Sequence, residues 1–113
     1  MGKHYKLDKL EALADGDQSF LEALAETFLE EVPADAIILK QAVNDKNMLQ
    51  TYQTAHKMKP TIEMFDLGVL NNLIEVQNWG KLEKIEENIS KDLDTVLNAV
   101  ENAAAEIKAD FNL

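Results

Sequence analysis

A chain of 113 residues that is 46 % hydrophobic, 6 % aromatic and carries a formal net charge of −10 has room for one hydrophobic core and not for two. So acidic a surface repels polyanions over most of its area, which argues against general nucleic-acid or anionic-membrane binding. With no cysteine in the chain, a disulfide framework and thiol-based metal or nucleophile chemistry are excluded.

No stretch approaches the roughly 18 consecutive apolar residues of a membrane span. The opening Met1-Gly2-Lys3-His4-Tyr5-Lys6 lacks the apolar core of a signal peptide. A soluble, cytoplasmic, single domain spanning 1–113 is expected, with residues 1–6 loose unless Tyr5 folds back on the rest. Few aromatics leave the core to Leu, Ile, Val, Ala and Met, which is helix-bundle material.

Leu7, Leu10 and Leu13 keep helical spacing as far as Asp15-Gly16-Asp17, where glycine permits a turn and the second aspartate can cap the next helix. That second helix carries Phe20, Leu21, Leu24, Phe28, Leu29 and Val32, with Glu22, Glu26, Glu30 and Glu31 largely off that face as a solvated surface. Pro33 removes a backbone donor, yet helical spacing resumes at Ala36, Leu39 and Val43; a kinked helix and a break both fit. Asn44-Asp45-Lys46-Asn47 ends the segment, and Asn47 or Asp45 caps a central helix running from Met48 to about Leu67, before Gly68.

A fourth segment through Leu70, Leu73, Ile74 and Gln77 is expected to end at Trp79-Gly80, with Trp79 covering one end of the bundle. The last helix reads from Leu82 through Ile85, Ile89, Leu93, Val96, Val100, Ala103 and Ile107 to Phe111. No segment alternates as a strand does, and the connections are short. The expected fold is all-α: an antiparallel up-and-down four-helix bundle with a short additional N-terminal helix.

The central helix holds the chemistry. Met48, Thr51, Ala55, Met58, Ile62 and Phe65 form its apolar stripe, with Met48, Met58 and Met64 as core filler. Leu49, Gln53, His56, Lys59, Pro60 and Glu63 lie about 100° further round, so the His56 imidazole is expected in solvent. Between Ile38 and Ile62 the charged residues are Lys40, Lys46, Lys57 and Lys59 against Asp45 alone, a basic patch in an acidic chain that coincides with the histidine. An accessible imidazole among ammonium groups points to chemistry on an anion. By contrast, His4 stands in a polar N-terminus with no motif near it. His56 and Glu63 share a face, but two ligands do not make a metal site, and no metal is expected.

Ala55-His56-Lys57-Met58-Lys59, in the middle helix of an acidic chain of this length, resembles the signature of histidine-containing phosphotransfer (HPt) domains. Leu13-Ala14-Asp15-Gly16-Asp17-Gln18-Ser19-Phe20-Leu21, together with Phe28-Leu29-Glu30-Glu31-Val32-Pro33 further along, is similar to that family's opening helices. Gly68 resembles the glycine that closes the segment after its active helix. Where the family generally has glycine after the lysine, this chain has Pro60, which cannot donate to the His56 carbonyl, should bend or loosen the helix, and is bulkier at the point where a partner docks.

The resemblance implies a phosphocarrier of a multistep two-component relay. His56 would take a phosphoryl group from the aspartyl phosphate of one receiver domain and give it to the aspartate of another. The Mg²⁺ such transfer requires would belong to the receiver. Lys59, three positions on, shares the histidine's face and is suited to the phosphoryl oxygens; Lys57 points away and is suited to steering the partner. Gln53 is placed to bond the ring or a phosphate oxygen, Thr61 the backbone opened by Pro60, and Leu49 and Tyr52 to form an apolar docking patch. No glycine-rich phosphate loop or nucleotide lid is present, so no ATP-dependent autophosphorylation and no cofactor are expected. The acidic surface favours a monomer. A second reading, encouraged by Pro60, is a helical docking or scaffold module that binds receiver-like domains without efficient transfer.

Overall fold

The structure, a computed structural model, describes residues 4–113. Among them are five helices and no strand: α1 (Asp8–Ala14), α2 (Gln18–Asn44), α3 (Met48–Met64), α4 (Leu70–Lys81) and α5 (Ser90–Asp110). Helices α2 to α5 close a ring in which each packs on the next and α5 packs back on α2, while α1 rests on α2. The molecule measures 47 × 23 × 22 Å. Its long dimension reflects α2, whose 27 residues at 1.5 Å per residue span about 40 Å. Phe28, Leu39, Met58, Ile62, Leu73, Val96, Val100 and Ile107 fill the interior, and the Phe28 and Phe65 rings meet at 4.7 Å. None of the helices is long and apolar enough to cross a membrane.

Side chains set the helix starts that matter most. Asp17 accepts from the Phe20 amide at 3.2 Å and Asn47 from the Gln50 amide at 3.1 Å, caps that contribute about 1 kcal/mol each. Asn47, not Asp45, therefore begins the central helix.

Helix ends obey a rule that a search for glycine misses. The amides of Asn47, Leu67, Lys84 and Leu113 each bond the carbonyl five residues back. The residues just before them, Lys46, Asp66, Glu83 and Asn112, all have left-handed φ, at 56°, 52°, 52° and 57°. This is the Schellman ending, built here without glycine.

Three boundaries move as a result. The α3 helix stops at Met64 and not near Leu67. The α4 helix runs through Gly80 to Lys81. Residues 82–89 are not helical, so Leu82 and Ile85, expected on the core stripe of the last helix, are exposed (60 % and 41 %). Trp79 is buried and its Nε1 donates to the Glu87 carbonyl at 2.9 Å, tying that segment to the end of α4. Leu13, also at helical spacing, is 59 % exposed.

Both prolines lie inside continuous helices, Pro33 in α2 and Pro60 in α3. Neither a break at Pro33 nor an interruption at Pro60 occurs. Each costs one intrahelical hydrogen bond, and Pro60 stands on the exposed face of α3, where the freed His56 carbonyl is near water.

Of residues 1–6, expected to be loose, 1–3 lie outside the described residues and the rest are tied down. Tyr5 is buried and its hydroxyl donates to Asp110 at 2.6 Å; the Lys6 amide donates to the Phe65 carbonyl at 2.8 Å. The His4 amide and ring both meet the Glu106 carboxylate. Tyr5→Phe is expected to lower unfolding stability by about 1 kcal/mol, measured in urea. Burial, then the Asp110 carboxylate, raise the Tyr5 hydroxyl well above its ordinary 10.0. A raised value in the fold means the neutral phenol is the stabilising form, so its contribution is whole below pH 10 and is lost as pH climbs beyond. The gap between wild type and Tyr5→Phe should therefore be flat up to that pH and shrink above it.

Candidate functional site

The outer face of α3 presents Leu49, Gln53, His56, Pro60 and Glu63, all exposed, with Tyr52, Lys59 and Thr61 half-buried at its margins. The opposite stripe, Thr51, Thr54, Ala55, Met58 and Ile62, is buried. A helix whose one side is wholly committed to the core has no rotational freedom, which holds the His56 row in solvent. Among the described residues the His56 ring has no hydrogen-bond or ion-pair partner. Its aromatic neighbour is the Tyr52 ring, with centroids 5.9 Å apart and planes inclined by 30°.

The two lysines have different fates. Lys57 turns towards α2 and its Nζ donates to the Asp35 carboxylate at 3.1 Å. Lys59 has no carboxylate partner among the described residues and stays one turn from the imidazole, on its side of the helix. Lys57 thus points away from the imidazole, as its position one residue on from His56 implies, and it is paired with Asp35. Asp35 lies on the buried stripe of α2 with Val32, Ala36 and Leu39, and the sequence carries the signal: a carboxylate at core spacing needs a cation. Removing Lys57 strands a side chain that is 10 % exposed. Breaking a fully buried pair costs about 3–5 kcal/mol, but the Lys57 side chain is 60 % exposed, so water screens the pair and Lys57→Ala is expected to cost about 1 kcal/mol. Lys59→Ala should stay within about 0.5 kcal/mol of wild type. Parallel urea titrations compare the two.

A second unanticipated residue shapes the site. Gly80 is buried inside α4, and a Cβ there would lie 2.6 Å from the Met48 carbonyl oxygen and 2.8 Å from the Tyr52 amide nitrogen. Missing side-chain volume at position 80 lets the end of α4 press on the first turns of α3. Beside this contact is a hollow of about 270 Å³ lined by Met48, Leu49, Tyr52, Gly80, Lys81 and Glu83. Leu49, at its rim, is 65 % exposed. Gln77, one turn before Gly80 on the same face of α4, is buried, and its Oε1 has no hydrogen-bond partner among the described residues.

These parts define the chemistry open to the face: an unencumbered imidazole, one unpaired ammonium within a turn, and an apolar hollow a turn away. Glu63 lies too far along for the pair to form a chelate, and no group of three or more His, Asp or Glu among the described residues could hold a metal ion. No family model, curated protein or solved structure matches the chain.

Proposed function

We propose that the chain is a histidine phosphotransfer protein of a two-component phosphorelay, built as an antiparallel up-and-down four-helix bundle (α2 to α5) with α1 as an accessory. The observation that carries this reading is the exposed, unpartnered His56 on the outer face of α3, with Lys59 one turn away. In the forward step an imidazole lone pair forms the N–P bond while the acyl phosphate's P–O bond breaks and its electron pair leaves with the receiver's carboxylate. Charge is then spread over three equatorial oxygens, and catalysis is positioning plus electrostatic compensation. Lys59 supplies that compensation from this chain, and the receiver supplies the rest. Leu49, Tyr52 and the hollow beside them form the apolar centre of the docking surface, with Lys81 and Gln53 at its rim.

Lys59→Ala should slow transfer by about tenfold, the loss of one charge-assisted contact, without changing the melting midpoint. Stopped-time transfer from a phosphorylated receiver checks it; an unchanged rate removes Lys59 from the chemistry.

The engagement of Lys57 with Asp35 leaves Lys59 as the only cation available to the phosphoryl group from this stretch of α3, and this favours a second reading, a receiver-docking module without efficient transfer. Titration with an unphosphorylated receiver separates the two. Tight binding without transfer supports the module; weak binding with rapid transfer supports the carrier.

A further inference from the structure

We propose that Tyr52 is a positioning residue for His56: its phenol ring holds the plane of the imidazole so that a ring nitrogen is presented outward for phosphoryl transfer. The inference rests on the phosphocarrier reading and adds to it a device that gives the nucleophile its orientation.

Residues four apart on a helix are neighbours, and helical side chains lean towards the N-terminus, over the residue one turn earlier. His56 is accordingly a neighbour of Tyr52, at 5.9 Å between centroids with planes inclined by 30°, within the separation of an aromatic pair. The contact matters because an exposed imidazole otherwise samples several rotamers. A ring nitrogen attacks through a lone pair lying in the ring plane. A ring neighbour that leaves both nitrogens without a hydrogen-bond partner among the described residues occupies neither, yet restricts the plane that contains the lone pair. Orientation gained before the encounter does not have to be gained during it.

Tyr52 is itself held. It is half-buried, lines the hollow beside α4, and its backbone nitrogen is in the tight contact that Gly80 makes possible. Gly80 thus fixes the helix pair, the pair fixes Tyr52, and Tyr52 fixes the ring. Lys59 and Glu63, further along the same side, cannot substitute, since neither offers a flat apolar face.

The test uses phosphoramidate, a donor too small to need a docking surface. The imidazole lone pair forms an N–P bond, the P–N bond to ammonia breaks, and the ammonia leaves with its three protons. Labelling of His56 in wild type, Tyr52→Phe and Tyr52→Leu is monitored by intact mass, alongside two-dimensional NMR of the imidazole protons. An aromatic pair is worth a factor of about 2 to 12. Tyr52→Leu should therefore label several-fold more slowly and lose the ring-current displacement of the His56 protons, while Tyr52→Phe keeps both. Equal rates in all three overturn the positioning role while leaving the phosphocarrier reading intact. If Tyr52→Leu does not fold, the wild type alone decides: cross-relaxation between Tyr52 and His56 ring protons supports the contact, and its absence overturns the proposal. A wild type that accepts no phosphate from this donor or from a phosphorylated receiver overturns the carrier reading and the positioning role with it.

Discussion

Gly80→Ala is expected to destabilise the protein by about 1–3 kcal/mol, the usual range for forcing extra volume into a packed contact. On helix propensity alone the change would be favourable by about 1 kcal/mol, since Gly80 lies within α4. The sign is decided by what the new methyl meets. Its nearest neighbours are the Met48 carbonyl oxygen at 2.6 Å and the Tyr52 nitrogen at 2.8 Å, both backbone atoms of a helix and unable to rotate aside. Relief requires α4 to withdraw from α3, which opens the contact along its length. Chemical denaturation measures the loss, and a Gly80→Ala protein more stable than wild type would show that the helices are not so close. The same withdrawal shifts Tyr52, so phosphoryl transfer should also slow.

His56→Gln should reduce phosphoryl transfer from a phosphorylated receiver to background while leaving the fold unchanged. The amide has the size and polarity of the imidazole but no nucleophilic nitrogen lone pair, and the ring is exposed with no hydrogen-bond or ion-pair partner among the described residues. Surface substitutions of this kind stay within about 0.5 kcal/mol. Transfer assayed beside a thermal melt therefore isolates chemistry from stability. A variant that labels as fast as wild type puts the phosphate elsewhere, and a variant that unfolds makes His56 structural.

The face of α3 is legible in the sequence because two independent periods agree on it. The apolar stripe from Thr51 to Phe65 and the polar row through His56 are both fixed by 3.6 residues per turn, and neither depends on what lies across the core. Helix ends are less legible for a definite reason. Glycine is the usual mark of a left-handed ending, but Asp66 and Glu83 adopt that conformation where α3 and α4 end, and Gly80 serves close packing instead. Leu82 and Ile85 mimic a helical stripe because a loop tied down through Trp79 needs no regular spacing.

The remaining pieces of the site are tertiary. The core spacing of Asp35 signals that it needs a cation, but that Lys57 supplies it and Lys59 does not depends on which helix lies on which side of α3. Polarity and position along α3 suffice to put Tyr52 at the margin of the His56 face; its ring contact with His56 depends on rotamers that the sequence does not specify.

The central claim is most directly tested on the unaltered protein. Incubated with a phosphorylated receiver domain and Mg²⁺, it should gain one phosphate that is lost in acid, kept in base and mapped by fragmentation to residue 56. A receiver that passes its phosphate to an authentic histidine phosphotransfer protein yet leaves this chain unmodified, or modifies it at any other residue, would contradict the account.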